Sequence, residues 1–86
     1  MNINELIEIV KSKIEAEIII QDIQIEDKSF LHKNHKGNQE GMFHLKLIIQ
    51  SDELKKLNKI ESTKKIYNIL DHELKEHIHS IQILLS

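Results

Sequence analysis

The side chains in this sequence that can do chemistry are imidazoles, ammonium groups and carboxylates. There are six histidines and twelve lysines, with no arginine and no cysteine. His32 and His35 stand three residues apart in the polar stretch Lys28 to Gly41, which holds both glycines and reads as a loop. Two imidazoles at that spacing in a loop can reach one metal ion, and imidazole suits Zn, Fe, Cu and Ni. A second group, His72, His77 and His79, falls where the last helix meets the last strand. Six histidines in a short chain also cluster by chance, and solvated loop histidines are the alternative account.

Other chemistries find little support. There is no cysteine nucleophile and no Gly-x-Ser-x-Gly turn. The serines lack a base and an orienting acid that the sequence would place beside them. No glycine-rich phosphate loop occurs. Glu26 and Asp27 are consecutive on a strand and so face opposite sides. Asp71, Glu73 and Glu76 read as a solvated helix face. Lys55, Lys56, Lys59, Lys64 and Lys65 form a local basic patch opposed there by Glu61. Such a patch can contact phosphates, although an exposed helix surface is the simpler account of it. No aromatic residue is interleaved with these lysines for base stacking.

The elements that must position these groups follow from apolar spacing. Asn2 with Glu5 caps a first helix whose buried face is Leu6, Ile7, Val10 and Ile14. Glu17 to Asp27 is β-branched and alternating, so it reads as a strand, with a bulge possible at Gln21-Asp22. From Met42 to Gln50 the alternation is clean. Phe43, Leu45, Leu47 and Ile49 point one way, and His44, Lys46 and Gln50 the other, in a half-buried strand antiparallel to the first. Ser51-Asp52 caps a helical turn through Leu54. Asn58 with Glu61 caps a helix that buries Ile60, Ile66, Tyr67, Leu70 and Leu74, with Thr63 on the same side, and ends at His77. Ile78 to Leu85 is the last strand. The fold class is α+β in the order α-β-β-α-α-β, a three-stranded mixed sheet with helices on one face. The expected core is Phe43, Leu45, Leu47, Ile66, Tyr67, Leu70, Leu74, Ile81 and Ile83.

Eighty-six residues, 40% hydrophobic and 30% charged, predict one folded domain spanning residues 1–86. No apolar run approaches the ~20 residues that cross a bilayer. The N-terminus lacks the basic start of a secretory signal. Without cysteine there can be neither disulfides nor thiolate ligands from this chain. A cytoplasmic protein without a membrane partner is expected. The net charge of −2 gives no global attraction to nucleic acid, and arginine, the preferred fork for phosphate and guanine, is missing. A domain of this size leaves little room for a deep catalytic pocket. It is expected to bind and hand over rather than to act as an enzyme.

Taken in order, these pieces resemble the BolA family across nearly the whole chain. Asp27-x-Ser29-x-x-His32-x-x-His35-x-Gly37 looks like that family's D-x-S-x-x-H region. Phe43 to Asp52 is similar to its second strand followed by Ser-Asp, and Asn58 sits at its helix cap. Ile60, Tyr67, Leu70 and Leu74 match the apolar frame of its long helix. Ile78-His79-Ser80-Ile81 resembles the V-H-A-L start of its last strand. Three features depart from the family pattern. Lys56 replaces a usual glycine, Ser62-Thr63-Lys64 a usual basic stretch, and Met42 a histidine often found before Phe43.

The resemblance implies a KH-like fold of the second type. It also implies partnership with a monothiol glutaredoxin in handling a [2Fe–2S] cluster, bound or transferred. The implied ligands are His79 and a loop histidine, His32, with His35 in reserve. Two imidazoles on one iron make a Rieske-like arrangement, so a partner's cysteine with glutathione must supply the thiolates, and the isolated protein should carry no cluster. Alone it is expected to be a monomer or weak homodimer. Some relatives are described as transcriptional regulators, which makes weak DNA binding through Lys55, Lys56, Lys59, Lys64 and Lys65 the second reading. The loss of glycine and arginine at the helix turn counts against it.

Overall fold

The computed structural model describes residues 2–29 and 42–86. The element order is α1 (Ile3–Glu17), β1 (Asp22–Asp27), β2 (Phe43–Gln50), α2 (Asp52–Lys55), α3 (Lys59–Ile69), α4 (Asp71–Glu76) and β3 (Ile78–Leu85). The sheet order is β1-β2-β3, with β1 antiparallel and β3 parallel to the central β2. The expected α+β class and mixed three-stranded sheet are therefore what the chain adopts.

Helix starts are set by side-chain caps. Asn2, Ser51 and Asn58 each accept a backbone N–H three residues on, at 2.9, 3.2 and 2.8 Å, which satisfies donors that the first helical turn leaves open. One core joins the helices to the inner sheet face: Leu6, Val10 and Ile14 of α1, Leu45, Leu47 and Ile49 of β2, Leu54, Ile66, Leu70 and Ile78. Phe43, Leu74, Ile81 and Ile83 pack against it partly buried.

Four sequence expectations change. The first strand is shorter than Glu17 to Asp27, because α1 runs through Glu17 and the chain turns over Ile18–Gln21 before pairing at Asp22↔Gln50. Ile18 is pulled into the core while Ile19 is left exposed, its carbonyl accepting from Ser51 Oγ at 2.8 Å. The register of β1 on β2 continues to Asp27↔Leu45 with no bulge at Gln21-Asp22.

Secondly, Ile60 and Tyr67 are not core residues; they are 68% and 42% exposed. The inward line of α3 runs through Ser62 and Ile66. At 3.6 residues per turn, Ile60 and Tyr67 lie roughly 100–120° around the helix from Ile66. Ser62 is tolerated inside because its hydroxyl donates to the Lys59 carbonyl at 3.1 Å. Thirdly, the long helix ending at His77 is broken at Leu70 into α3 and α4.

The fourth change is at Glu73, which is buried rather than solvated. Its carboxylate receives the Lys13 ammonium at 2.7 and 3.0 Å, tying α4 to α1. A charge in that position requires such a partner.

Candidate functional site on the outer face of the sheet

The outer face is built at the β2–β3 pairing. Phe43 pairs with Ile78, but His44 pairs with Ser80, so His79 is an extra residue in β3. A bulge of this kind sets two residues opposite one and re-aims a side chain. Its cause lies in the sequence. Ile78 and Ile81 both turn inward onto the core, and the two residues between them must both be accommodated on the outer side.

As a result His79 and Ser80 both meet His44. His44 is 5% exposed, and its ring lies 4.9 Å from the His79 ring between centroids, with planes 26° apart. Its Nδ1 is 2.6 Å from Ser80 Oγ, and its backbone N–H donates to Ser29 Oγ at 3.1 Å. Ser29 is in turn held by its own N–H donating to Asp27 Oδ1 at 2.9 Å, and the Lys28 N–H donates to the His44 carbonyl at 2.7 Å. The His79 side of the stack is exposed. Beside it runs a shallow depression lined by Lys28, His44, Lys46, Ser80 and Gln82. Glu26 pairs with Lys28 at 3.3 Å and stands opposite Lys46 across the strands.

Of the histidines singled out from sequence, His32 and His35 lie outside the described residues. His72 of α4 and His77, the residue that caps its C-terminus, meet edge to face at 6.1 Å, and His79 stacks on His44 instead of completing that group. Sequence reasoning missed His44. Alternation on β2 put it outward, and an outward strand residue reads as solvated. The available signal lies beside Met42: the histidine often found before Phe43 in the family is absent, and this strand carries one just after Phe43 instead. Among the described residues no group of three or more His, Asp or Glu side chains can hold a metal ion.

The lysine patch is only partly available. Lys55, Lys56, Lys59 and Lys64 are exposed, while Lys65 binds Glu53 at 3.2 Å. That hydrogen bond, followed by the one from the Ile19 N–H, holds the Glu53 carboxyl below the usual carboxylate range. Contrary to the sequence expectation, an aromatic residue does stand among the lysines. Tyr67 shares a surface depression with Lys59, Ile60, Thr63 and Lys64.

Fold and site define a small α+β domain that presents a stacked histidine pair on the outer face of a three-stranded sheet. No described helix is long and apolar enough to cross a membrane.

Comparison with known proteins gives the family. Residues 14–86 match the family described as BolA-like protein. A DNA-binding transcriptional regulator BolA of Haemophilus influenzae is 31% identical over 78 residues, covering 91% of this chain and 73% of that protein. SufE-like protein 1, chloroplastic/mitochondrial, of Arabidopsis thaliana is 28% identical over 80 residues, covering 87% of this chain but 22% of that longer protein. Among solved structures, the BolA domain of SufE1 from Arabidopsis thaliana superposes with a TM-score of 0.78 at 26% identity, covering 100% of this chain and 93% of that one. BolA1 from Arabidopsis thaliana shares the fold at a TM-score of 0.72 and 24% identity, over 88% of this chain and 83% of that one. The chain belongs to the BolA-like protein family.

Proposed function

We propose that this protein is an adaptor that binds or transfers a [2Fe–2S] cluster jointly with a monothiol glutaredoxin and glutathione. The observation that carries the reading is the exposed His79 ring, lifted by the β3 bulge and backed by buried His44. The donor chemistry is compatible with a shared cluster. The chain has imidazoles but no thiolate, and a half-Rieske set of histidines on one iron leaves the other iron to a partner's sulfur ligands. His79 would be one ligand and His32 the second, with His35 as its substitute. Ser29, which precedes the segment carrying both, is hydrogen-bonded to His44. The role is that of an adaptor rather than an enzyme, and a cytoplasmic location suits it.

The second reading, DNA binding, is favoured by the name of the Haemophilus relative and by the exposed Lys55, Lys56, Lys59 and Lys64, two of which, Lys59 and Lys64, share a depression with Tyr67. It ranks lower because Lys65 is engaged by Glu53 and no arginine is present.

Two measurements separate the readings. The protein is mixed anaerobically with monothiol glutaredoxin, glutathione, iron and sulfide, and the visible spectrum of the complex is recorded. His79→Ala should abolish that spectrum, and His32→Ala should weaken it unless His35 substitutes. An unchanged spectrum in His79→Ala sinks the cluster reading. A sequence-selective DNA complex at physiological salt, weakened by Lys56→Ala or Lys59→Ala, would put the regulator first.

A further inference from the structure

We infer that His44 is the positioning residue for His79: its buried ring is the platform that fixes the orientation in which His79 meets a metal. The inference rests on the cluster reading above and concerns a residue that touches no ligand in it.

Three features support this role. The first is register. Because His79 is the extra residue of the bulge, it has no partner across the β2–β3 ladder. Its backbone alone therefore constrains it less than that of a paired residue. The second is the contact that replaces the missing pair. The His44 ring stacks on it at 4.9 Å and 26°, an offset arrangement that aromatic faces favour.

The third feature is that the platform is itself held from several sides. Ser80 Oγ lies 2.6 Å from Nδ1, Ser29 Oγ accepts the backbone N–H, and the His44 carbonyl accepts from Lys28. A ligand on an exposed strand keeps its geometry only when neighbouring groups lock its rotamer. His44 supplies that lock by its ring face. Ser80, the other residue of the bulge, fixes the His44 ring in turn.

Two substitutions separate the ring from the hydrogen bond. His44→Phe keeps an aromatic face under His79 and loses the bond to Ser80. His44→Gln keeps a polar partner for Ser80 and loses the face. In the metal-free protein, the ring-proton NMR signals of His79 should keep their stacking-induced displacement in His44→Phe. In His44→Gln they should move toward those of a free imidazole. In the mixture with glutaredoxin, glutathione, iron and sulfide, His44→Phe should hold cluster formation within about twofold. His44→Gln should lower it about tenfold or more, roughly the range for loss of a residue that orients a metal ligand.

The outcomes divide cleanly. If His79→Ala leaves the spectrum unchanged, the cluster reading has failed and this inference falls with it. If His79→Ala abolishes the spectrum but His44→Gln matches wild type, the reading stands and the positioning role is wrong. Equal damage from His44→Phe and His44→Gln, with both proteins folded by circular dichroism, also overturns it. Should His44→Gln fail to fold, His44→Leu takes its place, since it fills the site without an aromatic face. The His79 signals should again move toward those of a free imidazole, and signals left as in wild type would count against the platform.

Discussion

The two faces of this sheet are made from the same three strands and obey different rules. On the inner face, Leu45, Leu47 and Ile49 meet α1 and α3 through aliphatic side chains, and any set of similar volume would fill the space. On the outer face, His44, His79 and Ser80 meet through one ring stack and one hydrogen bond, each dependent on a single register shift. Volume governs the first face and orientation governs the second. Substitutions should therefore cost stability on the inner face and function on the outer one.

The largest effect tests that division directly. Leu70→Ala should destabilise by about 2–5 kcal/mol, because a fully buried side chain leaves a cavity that the core fills only in part. Leu74→Ala should cost less, since Leu74 is only partly buried. His79→Ala should stay within about 0.5 kcal/mol of wild type, as surface positions usually do. Urea denaturation of the three variants checks the ranking. A His79→Ala loss as large as that of Leu70→Ala would erase the distinction between the faces.

An intermediate effect is expected where polarity enters the inner layer. Lys13→Met leaves the buried Glu73 carboxylate without its cation and should cost about 1–3 kcal/mol, the penalty for an unsatisfied buried polar group. Glu73→Gln leaves an amide that still accepts from Lys13 and should cost less. The double variant Lys13→Met, Glu73→Leu should recover much of the loss, because apolar replacement of a buried pair is often neutral. Thermal melts of the three proteins give the order. A Lys13→Met variant as stable as wild type would mean that the pair is only a surface contact.

Legibility in the sequence followed the same division. The inner face could be read because it is periodic: Leu6, Val10 and Ile14 at helical spacing, and Leu45, Leu47 and Ile49 at strand spacing. Caps could be read because Asn2, Ser51 and Asn58 act on residues three positions away. Periodicity misled on α3, where an apolar Ile60 and Tyr67 lie outside and a serine lies inside. The phase there is set by contact with α1 and the sheet, not by composition. The bulge left one trace, two polar residues between Ile78 and Ile81. That trace becomes a bulge only once Phe43 and Leu45 are known to be the partners. The family resemblance pointed to His79, and the bulge explains its exposure. His44 was not legible, because its burial comes from rings meeting across two strands, and Glu73 was missed because its partner is 60 residues away.

The smallest effect is expected at Glu53, on the surface where α2 meets the Ile18–Gln21 turn. Its carboxylate accepts from Lys65 Nζ at 3.2 Å and from the Ile19 N–H at 3.4 Å, so its folded-state pKa is depressed by Lys65 first and by the backbone donor second. A depressed carboxylate favours the folded state above its unfolded pKa, and that contribution disappears as the pH falls through the folded value. Glu53→Gln should therefore change stability slightly at neutral pH and flatten the acid limb of the stability curve. Because the group is exposed, salt should shrink the difference between the two proteins. Melting temperatures from neutral pH down through the carboxylate range, at low and high salt, measure both trends. Parallel acid limbs for wild type and Glu53→Gln would show that the ion pair does not contribute to folding. Glu53→Gln also releases Lys65 into the lysine patch, so any DNA affinity should rise and fall more steeply with salt. The His79-dependent spectrum, on the other face, should not change.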